Sequence, residues 1–260
     1  MADPFPMLTQ FLWREFALAD LFESLEAPGA MLLQGLHGPS RALALAACQV
    51  GTGRTLLVLC RSEEVATALA TDLEFFLGSG VAWLPEREAD PEARAARVLT
   101  LHRLLTGQAT VVVASVAAAL PRTIAPIVLG AAVLSLYPQR IIPRDELQSV
   151  LTAGGYRPVG QVTEPGEYVV RGGIVDCSPP QLPHPVRIEF FGDQVDSLRQ
   201  FDAETQRSLG PLPQATILPL AETPMTQEAV SRAAARLRSA ARRNNVSVPA
   251  AILEALDQRG

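Results

Sequence analysis

Several short apolar runs without polar alternation are the strongest constraint on what this chain can fold into. Residues 55–60 and 110–114 contain almost only aliphatic side chains. A strand that is buried on both faces has this pattern, and such strands are typical of parallel sheets covered by helices on both sides. Residues 30–34 and 81–84 are predicted to add further strands, with residues 30–34 forming a buried one.

Helix signals lie between these runs and predict an alternation of strand and helix. Residues 39–50 are rich in alanine, and Ser62 is placed to cap a helix that Gly78 would end. Asp90 and Pro91 combine an N-cap with a proline at the first helical position, which predicts a helix reaching about residue 107. The first half of the chain is therefore predicted to be an α/β domain.

The sequence changes in character after about residue 121, where prolines and glycines cluster. Apolar and polar residues alternate over 186–191, and the two-residue turn Gly192–Asp193 joins this strand to 194–201 as a hairpin. Strands are also predicted at 133–137 and 215–218. Helices are predicted at 143–153, at about 226–243 and from about 249.

These patterns predict three segments. Residues 1–121 would form the first part of an α/β domain, residues 122–212 an inserted and smaller α+β domain, and residues 213–260 a return to the first domain with C-terminal helices.

Composition excludes several classes of protein. Apolar residues make up 48% and charged residues 19%, which excludes a disordered chain, and the net charge of −5 argues against a general polyanion binder. All 22 basic residues are arginine, so no lysine is available for phosphate binding or Schiff-base chemistry. The scattered cysteines and histidines predict no metal site, and neither a signal peptide nor a membrane span is expected.

A glycine-rich loop precedes the alanine-rich helix, in the place where a P-loop would lie. The P-loop pattern needs G-x-x-x-x-G-K-[ST]. Gly35 supplies the first glycine and Gly38 lies within the loop, but Ser40, Arg41 and Ala42 replace the second glycine, the lysine and the hydroxyl residue. Since alanine cannot ligate Mg²⁺, we expect no ATP hydrolysis. An ordinary strand-to-helix turn would explain the same residues.

A second sequence, 51–55, mimics the end of a P-loop but precedes a strand instead of a helix. It is predicted to be the helix stop and turn before strand 55–60.

The 186–191 strand has an unusual second face. Alternation places Arg187, Glu189 and Phe191 opposite the face that serves the core. Arginines and aromatics anchor protein interfaces, and Arg171 precedes two glycines that would allow another chain to approach closely. Composition leaves open whether this face binds a partner or whether Phe191 covers a hydrophobic edge beside solvated ion pairs.

At this point the sequence resembles a known family. The similarity is most specific between residues 143 and 209, and it lies in the following segments: 143–147, 153–156, 166–168, 171–176, 187–193, 196–199, 201–202 and 205–208. These segments resemble the N-terminal UvrB-homology module of the bacterial transcription-repair coupling factors, the Mfd family. UvrB shares much of this core pattern, but UvrB has an intact P-loop and a long DNA-clamping hairpin where this chain has only residues 85–90.

The resemblance implies a degenerate P-loop NTPase-like parallel sheet with an inserted domain that binds UvrA by imitating UvrB. In that family two arginines and a phenylalanine carry the contact, and they correspond to Arg171, Arg187 and Phe191. We expect these three side chains to point away from the core, so that replacing any of them changes folding little.

The implied role is non-catalytic recruitment of UvrA to stalled RNA polymerase in cytoplasmic nucleotide excision repair. We expect the chain to be a fragment that needs no cofactor, with ATP, RNA polymerase and DNA used by domains outside it.

Two other functions remain open from the residues. One is an ATP-dependent, UvrB-like damage-recognition or helicase-related protein, which would need lysine at position 41 and serine or threonine at position 42. The other is a small DNA-binding module. Its basic residues would lie on the predicted C-terminal helix, at Arg232, Arg236, Arg238, Arg242 and Arg243, although no aromatic residues are interspersed and a solvated or partner-facing surface explains them as well.

Overall fold

The computed structural model describes residues 29–87, 90–249 and 251–252. Within them the chain divides into two compact units, one built from residues up to 87 and from 99–122, the other from 90–98 and the residues after 122. The start of the chain and most of the helix predicted from residue 249 lie outside the described residues.

The first unit alternates helices and parallel strands. Its elements are α1 (Pro39–Thr52), β1 (Leu56–Cys60), α2 (Glu63–Leu77), β2 (Val81–Leu84), the second half of α3 (Pro91–Leu105), β3 (Val111–Ser115) and α4 (Val116–Ala119).

The sheet of this unit is parallel and has the strand order β1-β3-β2. Every residue of the central strand β3 is buried, as its uninterrupted apolar sequence predicts. Helices α1 and α2 cover one face, where Ala46 and Leu73 pack with Val111 and Val113. Leu101 of α3 packs on the other face. Leu57 and Leu59 of the edge strand β1 are more than half exposed.

Local signals set the ends of these helices. The Ser62 hydroxyl accepts a hydrogen bond from the Val65 amide, and the Asp90 carboxylate accepts one from the Ala93 amide. Gly53 ends α1 in the left-handed conformation with φ 63°. The structure therefore confirms that residues 51–55 are a helix stop and turn.

The prediction of a buried strand at residues 30–34 is wrong. These residues have no strand assignment, and Leu32 is 78% exposed. A strand exists only when a neighbouring strand supplies hydrogen-bond partners, and no described strand pairs with this segment. An apolar run indicates that a segment favours burial, but it does not specify the strand with which the segment would pair.

The second unit is built mainly from antiparallel strands. Its elements are the first half of α3, α5 (Pro126–Ala132), β4 (Leu134–Leu136), α6 (Arg144–Ala153), β5 (Arg157–Pro158), β6 (Glu167–Arg171), β7 (Ile174–Cys177), β8 (Val186–Phe191), β9 (Gln194–Phe201), β10 (Ser208–Pro211), β11 (Ala215–Ile217) and α7 (Gln227–Arg243).

Six strands form one sheet in the order β10-β9-β8-β7-β6-β5. Helix α6 packs on its inner face, where Leu147 and Leu151 join Ile188 and Leu198 in the core. The Tyr156 hydroxyl donates a 2.9 Å hydrogen bond to the Leu218 carbonyl within this core. The inner face is thus closed by the chain itself. On the outer face Val162 packs against Val169 and Phe201, while the end of the face at Phe191 is exposed.

Across the described residues the fold is thus mixed α/β, with one parallel and two largely antiparallel sheets. Strand β11 pairs with β4 and belongs to the second unit. The first unit ends at residue 122, and the residues after it belong to the second unit. The three-segment domain division stays a prediction. No helix among the described residues is both long and apolar enough to cross a membrane.

Candidate partner-binding face

The outer face of the six-stranded sheet carries the residues that the sequence singles out. Along β8, Val186 and Ile188 are fully buried whereas Arg187 and Glu189 are partly exposed, as the alternation predicts. The hairpin turn begins at Gly192 with φ 64°, a value that glycine adopts at little cost.

Strand pairing brings Arg171, Arg187 and Phe191 onto this one face. Arg171 lies opposite Ile174, and Ile174 lies opposite Glu189, so Arg171 points to the same side as Glu189. Arg187 and Phe191 lie two positions before and after Glu189 on β8, and therefore point to that side as well. From the strand spacing and rise, Arg171 is about 12 Å from both Arg187 and Phe191, measured between Cα atoms. One partner surface of ordinary size can reach all three.

Phe191 presents a large exposed side chain on this face. Its side chain is 81% exposed at the end of β8, directly before the turn. A phenylalanine in this position contributes little to its own core and presents a large apolar area to solvent. Its exposure argues against the alternative that it covers a hydrophobic edge.

Arg187 is held by contacts within the chain. Its Nε and Nη2 atoms donate two 2.8 Å hydrogen bonds to the Asp176 carboxylate, and its guanidinium carbon lies 4.8 Å from the centre of the Phe201 ring. These hydrogen bonds raise the pKa of Arg187, so the side chain stays charged. Asp176 is only 2% exposed, which makes Arg187 its counter-charge.

Arg187 points away from the core as expected, but its pairing with the buried Asp176 argues that replacing it would affect folding. Asp176 lies eleven positions away, and only the β7–β8 register places it opposite Arg187. The sequence signal is an acid at position 176 and a base at position 187, which face each other only when β7 and β8 pair. Using it requires the register, which the sequence alone left unspecified.

Arg171 is exposed, and its guanidinium donates a hydrogen bond to the Gly160 carbonyl. The two glycines that follow it serve the chain's own turn. Gly172 has φ 55°, and a Cβ at Gly173 would lie 3.3 Å from the Phe190 carbonyl oxygen. They are therefore explained without a partner.

Glu189 lies on the same face of β8, between Arg187 and Phe191. Its carboxylate accepts a 2.5 Å hydrogen bond from Ser197 and lies 3.7 Å from the Arg199 guanidinium. Arg187 and Arg199 thus each have a carboxylate partner within the chain. The hairpin end of the face is apolar at Phe191.

The residues of the glycine-rich loop before α1 differ in their contacts and burial. Ser40 hydrogen-bonds back to both backbone groups of His37. Ala42 is fully buried and packs in the core under α1, while Arg41 is exposed. Arg41 and Arg61 line an open cleft of about 620 Å³ whose other walls are mostly apolar.

The five arginines of α7 lie mainly on its solvent-facing side, and Arg232 pairs with Glu228 one turn earlier. Val230 and Ala234 are buried on the opposite side of the helix. The helix is thus amphipathic, with its basic residues turned away from its own core.

Comparison with known proteins identifies the second unit. The model of the UvrB interaction domain family matches residues 134–222, which include the whole outer face described above. A transcription-repair-coupling factor from Bacillus subtilis (strain 168) is 34% identical over 218 residues, covering 80% of this chain and 18% of that protein. Its counterpart from Myxococcus xanthus is 32% identical over 244 residues, covering 88% of this chain and 20% of that protein.

The chain belongs to the transcription-repair-coupling factor family. A third member, from Haemophilus influenzae, is 40% identical over 94 residues, or 36% of this chain and 8% of the relative. The chain spans about a fifth of the length of the relatives that it matches best along its own length. The activities and partners of the whole coupling factors therefore do not transfer directly to this chain.

Proposed function

We propose that this chain is a non-catalytic module of transcription-coupled nucleotide excision repair that binds UvrA through the outer face of its second unit. The observation that carries the proposal is the grouping of Arg171, Arg187 and Phe191 on one accessible sheet face inside the UvrB interaction domain. The module would bring UvrA to stalled RNA polymerase, which other domains of the coupling factor would contact.

The chemistry of the face suits a partner of mixed character. Phe191 supplies an apolar anchor, and Arg171 and Arg187 supply donors in the fork geometry that carboxylates accept in pairs. Arg187 is already oriented by Asp176, so it loses little conformational freedom when a partner binds. We infer that the surface of UvrA facing it carries carboxylates beside an apolar pocket.

We further propose that the first unit is a degenerate P-loop NTPase-like domain without nucleotide turnover. Three parallel strands, a glycine-rich loop and a helix that follows it support the relationship. The buried methyl group of Ala42 and the inward hydrogen bonds of Ser40 support the loss of function. A UvrB-like ATP-dependent enzyme is therefore the weaker alternative.

Competition with UvrB tests the proposal, because the module is proposed to imitate the UvrB surface. Immobilised UvrA should capture the chain, and excess UvrB should release it. Capture that UvrB leaves unchanged would contradict the imitation of UvrB. An absence of capture would contradict UvrA binding altogether.

A further inference from the structure

We propose that Ile141 is a second apolar anchor of the partner-binding face, working beside Phe191 on the same partner. The inference rests on the proposed UvrA binding and adds a specific residue that the sequence argument did not single out. It follows from the pairing at the hairpin end of the outer face.

Ile141, Gln194 and Phe191 form a row across the sheet. Gln194 lies opposite Phe191 in the β8–β9 hairpin, and Ile141 forms an antiparallel bridge to Gln194 from the other side. Side chains of directly opposed residues lie on the same face of an antiparallel pair. The row therefore places Ile141 on the face that carries Arg187 and Phe191.

The neighbouring residue confirms this orientation. Ile142 is 2% exposed and packs in the core, whereas Ile141 is 77% exposed. Since side chains alternate along an extended segment, Ile141 must point outward. Among the described residues, Ile141 and Phe191 are thus two large apolar side chains, each more than three-quarters exposed, in one row of one face.

The segment that carries Ile141 is fixed to the hairpin by backbone hydrogen bonds. The Gln139 amide donates a 2.7 Å hydrogen bond to the Val195 carbonyl, and the Val195 amide donates one of 2.9 Å to the Arg140 carbonyl. The Ile142 amide donates a 2.8 Å hydrogen bond to the Asp193 carbonyl. Ile141 therefore keeps its position relative to Phe191 before any partner arrives. Preorganised side chains of this kind lose little entropy on binding.

The spacing defines what the partner must offer. Two strand separations put the Cα atoms of Ile141 and Phe191 about 10 Å apart, with the exposed amide of Gln194 between them. A matching surface has an apolar groove long enough for both side chains and a polar group at its middle. Its carboxylates would lie toward Arg171 and Arg187. We assign this groove to UvrA because the row continues the face proposed to bind it.

Calorimetric titration of UvrA with the wild-type chain, Ile141→Ala, Phe191→Ala and the double variant tests the inference. Leu209→Ala is the matched control, since Leu209 is a large apolar residue of the same sheet that is 52% exposed on β10. Ile141→Ala should weaken binding roughly tenfold, as interface anchors do, and the double variant should bind more weakly than either single one. Leu209→Ala should bind like the wild type, and all melting temperatures should agree.

The outcomes separate this inference from the proposed function. If Phe191→Ala weakens binding and Ile141→Ala does not, UvrA binding stands and the second anchor is refuted. If the wild-type chain itself fails to bind UvrA, the proposed function falls and the inference falls with it. If Leu209→Ala weakens binding as much as Ile141→Ala, the effect is not specific to the row and the inference is also refuted.

Discussion

Arg187 combines a structural and a proposed binding role in one side chain. Its two hydrogen bonds neutralise the buried Asp176, and its outer edge remains accessible on the proposed interface. A loss of binding in an alanine variant would therefore have two possible causes, and a second substitution is needed to separate them.

We expect Arg187→Ala to lower the free energy of unfolding by about 1–3 kcal/mol, because Asp176 is then left buried without its counter-charge. The double variant Asp176→Ala/Arg187→Ala should regain much of that loss, since both partners are gone. Urea unfolding of the two single variants and the double variant measures this coupling. Additive effects would show that the pair does not stabilise the fold.

The same double variant tests binding separately from stability. If Arg187 contacts UvrA, binding stays weak although the fold is restored. Recovery of binding together with stability would show that Arg187 acts only through the fold.

Among the elements, the loop between β5 and β6 depends on one buried carboxylate. Glu167 is 4% exposed and accepts hydrogen bonds from the amides of Thr163 and Glu164, both at 2.9 Å, and from Arg157 at 2.6 Å. These bonds hold the loop that packs Val162 against the sheet. Burial alone would raise the pKa of Glu167, but the hydrogen bonds from Thr163 and Glu164 and the charge of Arg157 outweigh it and lower the pKa.

A lowered pKa means that Glu167 stabilises the fold when it is ionised. Its contribution is present above the ordinary carboxyl pKa of about 4.5 and is lost as the pH falls through the lower folded value. Glu167→Gln should therefore be less stable than the wild type at pH 7, and the difference should shrink below about pH 4.5. Urea unfolding of both proteins across this range measures it, and a difference independent of pH would contradict the assignment.

The residues of the glycine-rich loop predict that the chain does not hydrolyse ATP. The ATPase rate of the purified chain should stay at background with and without DNA, because Ala42 offers no hydroxyl for Mg²⁺ and Arg41 replaces the lysine. Turnover that Arg41→Ala abolishes would contradict this expectation and favour the ATP-dependent alternative.

Elements with local signals were predictable from the sequence. The serine and aspartate caps, the glycine stop after α1 and the hairpin turn each depend on a few neighbouring residues, and the structure confirms them. The strand predicted at residues 30–34 does not form, because a strand needs a partner strand and the local sequence does not specify one. The Arg187–Asp176 pair and the Ile141 row depend on register, which is a property of the folded sheet.

At the scale of the whole molecule, charge limits binding to nucleic acid. The net charge of −5 opposes association with a polyanion, while the arginines of α7 provide a local exception. We expect weak and non-specific DNA binding. Its affinity should fall steeply with added salt, and removing one arginine that pairs with a phosphate should reduce the salt slope by about 0.9.

Fluorescence titration of duplex DNA at several salt concentrations measures this slope. Replacing Arg236, Arg238 and Arg242 with glutamine should remove most of the residual affinity, with Arg144→Gln as a control outside α7. Tight and salt-resistant binding to damaged duplex would instead support a UvrB-like damage-recognition function.

Direct titration of UvrA with the wild-type chain and Phe191→Ala, beside a thermal melt of each, tests the central claim. Phe191 is 81% exposed and contributes little to the fold, so its removal should cost about 1–4 kcal/mol of binding and leave the melting temperature unchanged. Unchanged affinity in Phe191→Ala, or a melting temperature that falls together with it, would contradict the assignment of the outer face as the UvrA-binding surface.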